Sequence, residues 1–213
     1  MKVKVKGFKE GDRENIELPE AQKQLIDAIS KTGKPVVLVL LNGSAIAFPA
    51  EAKKVDAIVE AWYPGQAGGA AVASVLWGDY NPAGRLPVTF YKSVNDLPAF
   101  DDYNMKGRTY RYFEGKPQYG FGYGLSYTTF KYSKGKLRKS KGRLSLEVTI
   151  HNTGIHSGDE VAQVYIRNLQ DPEGPIKSLR GFKRVNILKG ESRRINIDLP
   201  DAAFEFFNPD TEK

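Results

Sequence analysis

The side chains of this chain that could do chemistry are few, and their spacing rules out most reactions. Ser44 stands in Asn42-Gly43-Ser44-Ala45, not in the Gly-x-Ser-x-Gly elbow that presents a serine nucleophile. The two histidines, His151 and His156, lie far along the chain from it, so a hydrolytic triad has no support. Gly120-Phe121-Gly122-Tyr123-Gly124 is glycine-rich, but no strand-to-helix pattern follows it, and a phosphate loop is rejected. Asp101-Asp102 reads either as acidic chemistry or as a solvated loop or helix cap. Asp12, Glu14 and Glu17 cluster around Arg13, which could pair with any of them structurally. Cleavage of a glycosidic bond with retention needs two carboxylates about 5–5.5 Å apart, and spacing alone nominates no such pair. Asn42-Gly43-Ser44 also fits a glycosylation sequon, a weak three-residue signal.

Composition narrows the field further. There are no cysteines, which removes disulfides, thiolate metal sites and cysteine nucleophiles, and two histidines cannot build a histidine-rich metal cluster. No cofactor is expected. Of 213 residues, 40% are apolar and 27% charged, a globular composition, and no apolar run reaches a membrane span. Lys131, Lys134, Lys136, Arg138, Lys139, Lys141 and Arg143 form a run without an acid, within a net charge of +7. It reads as an anionic-polymer patch or as a solvated linker and edge strand, where lysines discourage edge pairing. The chain has 11 Phe and 11 Tyr, and half of these fall between Phe100 and Tyr132. Such a loop could stack on sugar rings or glue two domains together.

The elements that would carry these residues change character along the chain. Leu18-Pro19-Glu20-Ala21-Gln22 opens a helix that Gly33 and Pro35 end. Val36 to Leu41 is a continuous apolar run, expected to be a strand buried on both faces of a parallel sheet. A short helix is expected over 50–54, a strand over Ala57–Trp62, a helix through Ala70–Leu76, and a strand over Leu86–Phe90. This order predicts an α/β layer structure with about three parallel strands. After residue 131 the pattern alternates with period two, in Leu144–Ile150, Glu160–Ile166, Leu179–Ile187 and Arg193–Leu199, which predicts a β-sandwich.

Several segments resemble the carboxyl-terminal part of glycoside hydrolase family 3, which includes β-glucosidases and β-xylosidases. They are Gly11-Asp12-Arg13 with Leu18-Pro19-x-x-Gln22, Gly33-Lys34-Pro35-Val36-Val37, and Trp62-Tyr63-Pro64-Gly65-Gln66-x-Gly68-Gly69. The two most specific are Gly78-Asp79-Tyr80-Asn81-Pro82-Ala83-Gly84-Arg85-Leu86-Pro87-Val88-Thr89-Phe90 and Phe121-Gly122-Tyr123-Gly124-Leu125-Ser126-Tyr127-Thr128. Asn152-Thr153-Gly154, Gly158-x-Glu160-Val161, Leu179-x-Gly181-Phe182 and Gly190-Glu191-Ser192 resemble a fibronectin type III-like domain.

The resemblance implies a partial α/β sandwich with a mostly parallel sheet over 1–90, an aromatic connector over 91–130, and an all-β fibronectin type III-like sandwich over 131–213. That sandwich would lack a last strand after Phe204–Phe207. The family's aspartate nucleophile sits on an amino-terminal barrel, so the resemblance implies no catalytic residue here beyond its glutamate acid/base. The acid/base position falls at or just before Met1, and Glu10, where the family often has glycine, is the one nearby candidate. Gln118 and Gly120 replace the leucine and proline usual in the tyrosine- and glycine-rich motif. Both ends read as cuts. The expectation is a fragment of a retaining exo-β-glycosidase acting on terminal β-linked glucose or xylose, inactive without the barrel. Its partners would be that barrel and, through the parent enzyme, an oligosaccharide, with no nucleic acid and no membrane. Gly107-Arg108-Thr109-Tyr110-Arg111-Tyr112 tilts the substrate toward xylo-oligosaccharides, and the substrate-binding residues are left unassigned. The alternative is a non-catalytic carbohydrate-binding or scaffold module. The compartment stays open: Met1 to Lys6 has no apolar signal-peptide core, and a periplasmic or secreted parent is one reading.

Overall fold

A computed structural model of the chain describes residues 8–9, 12–13, 15–140 and 142–206. It divides into two units: Met1–Ala73 with Val88–Thr109 and Phe113–Phe121, and Ser74–Pro87 with Tyr110–Tyr112 and Gly122–Lys213. Strands β1 (Phe8–Lys9) and β2 (Asp12–Arg13) pair antiparallel in the first unit. Pro19 then sets up α1 (Glu20–Ser30), because its ring holds φ at −56° and its carbonyl accepts from the amides of Gln22 and Lys23. Glu20 places a negative charge in the first turn, where the helix dipole favours it. Gly33, at φ +69°, takes a conformation that costs other residues energy and turns the chain away.

Next come β3 (Val37–Leu40) and β4 (Ala57–Glu60), a parallel pair in register from Val37 opposite Ala57 to Leu40 opposite Glu60. The Asp56 carboxylate pins that register by accepting from the Val36 amide at 2.7 Å. The chain between them makes only one turn of 3-10 helix, Glu51–Lys53. The third strand expected at Leu86–Phe90 does not form. Pro87 has no amide to donate, and Phe90 makes one isolated antiparallel bridge, to Tyr119. Nor is β3 buried on both faces: Leu40 is buried, but Val37 is 44% exposed and the following Leu41 62%. The core of this unit gathers Leu18, Ile26, Leu40, Ile46, Phe48, Phe90 and Tyr91. Its aromatic rings meet edge to face: Trp62 on Phe90, Phe90 on Tyr119, and Tyr91 on Phe113 at 4.9 Å. Phe113 and Tyr119 of the aromatic segment thus pack against this core, whereas Phe100, Tyr103, Tyr123, Tyr127 and Tyr132 stay exposed.

Helix α2 (Gly68–Trp77) starts in the first unit and ends in the second. Its sequence, GGAAVASVLW, is apolar on every side, yet Gly68 is its only buried residue. Helices of that composition normally lie inside a protein. The one-turn helix α3 (Thr109–Tyr112) follows later in the chain.

In the second unit, alternating sequences form antiparallel strands. These are β5 (Phe130–Tyr132), β6 (Lys136–Ser140), β7 (Arg143–Asn152), β8 (Gly158–Ile166), β9 (Ser178–Ile187) and β10 (Ser192–Leu199). One sheet has β7 at its centre, with β10 on one side and β5 and β6 on the other; the second sheet pairs β8 with β9. Val148, Ile150, Ala162, Val164, Ile187, Ile195, Ile197 and Leu199 make the core. Asn152 is fully buried among them and fully bonded. Its amide donates to the carbonyls of His156 (2.8 Å) and Ile187 (3.0 Å), and its oxygen accepts from Thr128 Oγ1 and the Gly154 amide. Arg85 reaches Glu160 on β8 at 2.7 Å and also donates to the carbonyls of Ala83 and Gly84. Tyr132 donates to the other Glu160 oxygen at 2.7 Å. Gly124 has to be glycine, since a Cβ there would collide with the Gly84 carbonyl oxygen.

Candidate functional site

The loop from Ala99 to Arg108, in the first unit, is built from polar side chains that fold back on their own backbone. Asp102 Oδ1 accepts from the Asn104 amide at 2.9 Å and from its side chain at 2.8 Å, an Asx turn. Those two bonds hold the Asp102 carboxyl below its ordinary range. Arg108 donates to the carbonyls of Ala99, Asn104 and Asp102, at 3.0, 3.2 and 2.6 Å, so its guanidinium serves as the loop's strut. Gly107, at φ +74°, allows the return beneath Pro98. Thr109 follows at φ +55°, costly for a β-branched residue, with its amide donating to Tyr91 Oη at 2.7 Å. This frame leaves the rings of Phe100 and Tyr103 about nine-tenths exposed, at 91% and 90%. Two solvated aromatic rings in one loop with a carboxylate can stack on the apolar face of a sugar and hydrogen-bond its hydroxyls.

A second group sits at the carboxyl ends of β3 and β4, where open α/β sheets bind ligands. Glu60 Oε1 accepts from the Trp62 amide at 3.0 Å, and Oε2 accepts from Asn42 Nδ2 at 3.3 Å. Burial pushes the Glu60 carboxyl above its ordinary range, partly offset by those two bonds. Asn42 also donates to the Ser44 carbonyl at 2.8 Å. Tyr63 stands largely exposed beside Gly43, where any side chain would strike its ring. Trp62, at φ +52°, turns the chain between them. The arrangement can hold and orient a polar ligand at a half-buried carboxyl.

Among the residues singled out from sequence, Glu10 lies outside the described residues. Asp101-Asp102 belongs to the aromatic loop, with Asp102 as its turn residue. The glycine-rich Gly120–Gly124 segment is a packing element: the Gly122 carbonyl accepts from Gln163 Nε2 at 3.1 Å, and Gly122 has φ +79°. His151 Nδ1 lies 3.0 Å from both the Glu191 carbonyl and Ser192 Oγ. Glu60 and Asn42 were missed as a pair. Their one sequence signal is position: Asn42 just past the expected strand Val36–Leu41, and Glu60 near the carboxyl end of the expected strand Ala57–Trp62. Among the described residues no three His, Cys, Asp or Glu side chains group as a metal site.

Comparison with known proteins adds the larger frame. Residues 3–127 match the family model described as the glycosyl hydrolase family 3 C-terminal domain, and residues 160–213 match a fibronectin type III-like domain. The chain is 51% identical to a xylan 1,4-beta-xylosidase of Xylanibacter ruminicola, over 99% of this chain and 25% of that protein. It is 39% identical to a periplasmic beta-glucosidase of Salmonella typhimurium, over 92% of this chain and 28% of that protein. The solved beta-glucosidase of Kluyveromyces marxianus superposes with a TM-score of 0.86 at 35% identity, covering 95% of this chain and 26% of that one. The chain thus spans between a quarter and a third of the length of these relatives.

Proposed function

Because this chain belongs to glycosyl hydrolase family 3, through that family's C-terminal domain, we propose that it supplies the carboxyl-terminal part of a retaining exo-β-glycosidase. That enzyme releases terminal β-linked xylose or glucose from oligosaccharides. The high identity to a protein named as a xylosidase supports xylose as the first choice. In this reading a barrel outside these 213 residues carries the aspartate nucleophile, and the two halves complete a double displacement. Glu10 is the candidate acid/base on this side. The observation that carries the reading is α2, a helix apolar but for Ser74 with one fully buried residue, which a further layer of protein would cover. We also propose that 1–90 is part of the family's α/β sandwich, 91–130 a docking connector, and 131–213 a fibronectin type III-like domain.

The test is hydrolysis of aryl β-xyloside and aryl β-glucoside by the purified chain, with and without a co-expressed family barrel. Expected are no turnover alone, turnover with the barrel, and loss of that turnover in Glu10→Gln. Activity from the chain alone would overturn the division of labour. The exposure of Phe100 and Tyr103 favours a second reading, a non-catalytic carbohydrate-binding module. It predicts xylo-oligosaccharide binding by the isolated chain that Phe100→Ala and Tyr103→Ala abolish.

A further inference from the structure

Strand residues alternate between faces, so the registers around β7 sort its sheet into two surfaces. Val148 and Ile150 of β7 and Ile195 and Ile197 of β10 are buried. Ser145, Glu147, Thr149 and His151, with their cross-strand partners, therefore occupy the solvent face. There β5 sets Lys131 opposite His151, and β6 sets Lys136 opposite Glu147 and Arg138 opposite Ser145. Arg143 begins β7 opposite Ser140, and β10 sets Arg194 opposite Thr149. All five cations are exposed. Residues 143 to 151 of β7 cover about 27 Å at roughly 3.4 Å per residue, so the positive charge forms a long track, not a point site.

Two acids share this face and leave it net positive: Glu147 is paired with Arg138 at 2.9 Å, and Asp198 lies across β7, opposite Ser145. Protection of the sheet edges accounts for the cations on the edge strands β5, β6 and β10. It does not account for Arg143 on the central strand. We propose that this face binds a carboxylate-bearing polysaccharide, a glycan with uronate groups spaced along its chain. Arginine guanidinium groups take carboxylates in bidentate fashion, and the hydroxyls of Ser145, Thr149 and Ser192 sit between the charges for the sugar hydroxyls. The choice of a glycan over a nucleic acid rests on the glycosidase reading above and on the lack of a nucleic-acid recognition motif in the sequence.

The test is affinity electrophoresis of the whole chain through polygalacturonate, through carboxyl-reduced polygalacturonate, and with duplex DNA as competitor. The triple variant Lys136→Gln/Arg143→Gln/Arg194→Gln leaves the Arg138–Glu147 pair in place. The proposal expects retardation by the polyuronate that carboxyl reduction abolishes. It also expects the triple variant to bind about tenfold more weakly, and affinity to fall steeply with salt as cation–polyanion contacts do. Equal retardation by the reduced polymer, an unchanged triple variant, or DNA displacing the polyuronate at the same salt would each overturn it. None of these measurements reads hydrolysis, so this proposal and the glycosidase reading can fail separately.

Discussion

Removing the Glu160 carboxylate from the second unit should be strongly damaging. Glu160 and Arg85 are 12% and 13% exposed at their side chains and meet at 2.7 Å, and Glu160 also accepts from Tyr132. Burial, the bond to Glu160 and the charge of Glu160 all push the Tyr132 hydroxyl up, so this phenol stays protonated as a donor. Glu160→Ala takes the carboxylate from a guanidinium that keeps only the carbonyls of Ala83 and Gly84, and removes the acceptor of the Tyr132 hydroxyl. Breaking a buried pair from one side costs roughly 3–5 kcal/mol, and the residual exposure here puts the expectation near the lower end, about 3 kcal/mol. For a unit of about a hundred residues that is about 12–24 °C in Tm, at about 4–8 °C per kcal/mol. Replacing the whole set, Arg85→Met/Glu160→Leu/Tyr132→Phe, should restore stability to within about 2 kcal/mol of the wild type, because no buried polar atom of the triad is then orphaned. The assay is urea and thermal unfolding followed by far-ultraviolet circular dichroism. A loss below about 1 kcal/mol in Glu160→Ala would mark the pair as a solvent-screened surface contact and refute the reasoning.

Two further outcomes follow from the first unit and from the glycines. Lys54 and Lys31 hold the exposed Asp27 carboxyl down to about 2. A depressed folded value means that its stabilisation is present above 3.8, the ordinary value, and is lost as pH falls through about 2. Asp27→Asn should therefore flatten that part of the acid unfolding curve, and an unchanged curve below pH 3.8 would count against the pairing. Gly124→Ala should destabilise by about 2 kcal/mol through its clash with the Gly84 carbonyl, whereas Gly69→Ala, on α2 with open space around it, should stabilise by about 0.5–1 kcal/mol. Equal effects at the two sites would contradict the packing described.

The β-sandwich was legible because its strands alternate cleanly, and each expected strand there formed within a residue or two of the expected bounds. The parallel sheet was only partly legible. The run Val36–Leu41 announces a strand buried on both faces, but burial depends on what else covers it, and Val37 and Leu41 are half open here. Leu86–Phe90 has strand-like composition, yet Pro87 withholds an amide and the segment bridges Tyr119 instead of joining a sheet. The site was harder still. The aromatic density over Phe100–Tyr132 is visible in sequence, but not which rings turn outward. That is decided by Arg108 tying three carbonyls and by the bond from the Thr109 amide to Tyr91. Glu60 and Asn42 come together only because β3 and β4 run parallel in one register.

Asn152 has a consequence for how the sandwich assembles. Its partners come from four places: Thr128 before β5, the turn at Gly154, His156, and Ile187 at the end of β9. Sequence separations of 24 and 35 residues mean that no local hairpin can satisfy it. A chain with only one sheet formed leaves the bonds of Asn152 to Thr128 or to Ile187 unmade and forgoes their contribution. The side chain thus acts as a proofreading contact in folding, withholding its reward until both sheets and the preceding turn are in place. It makes closure of the sandwich a single cooperative event.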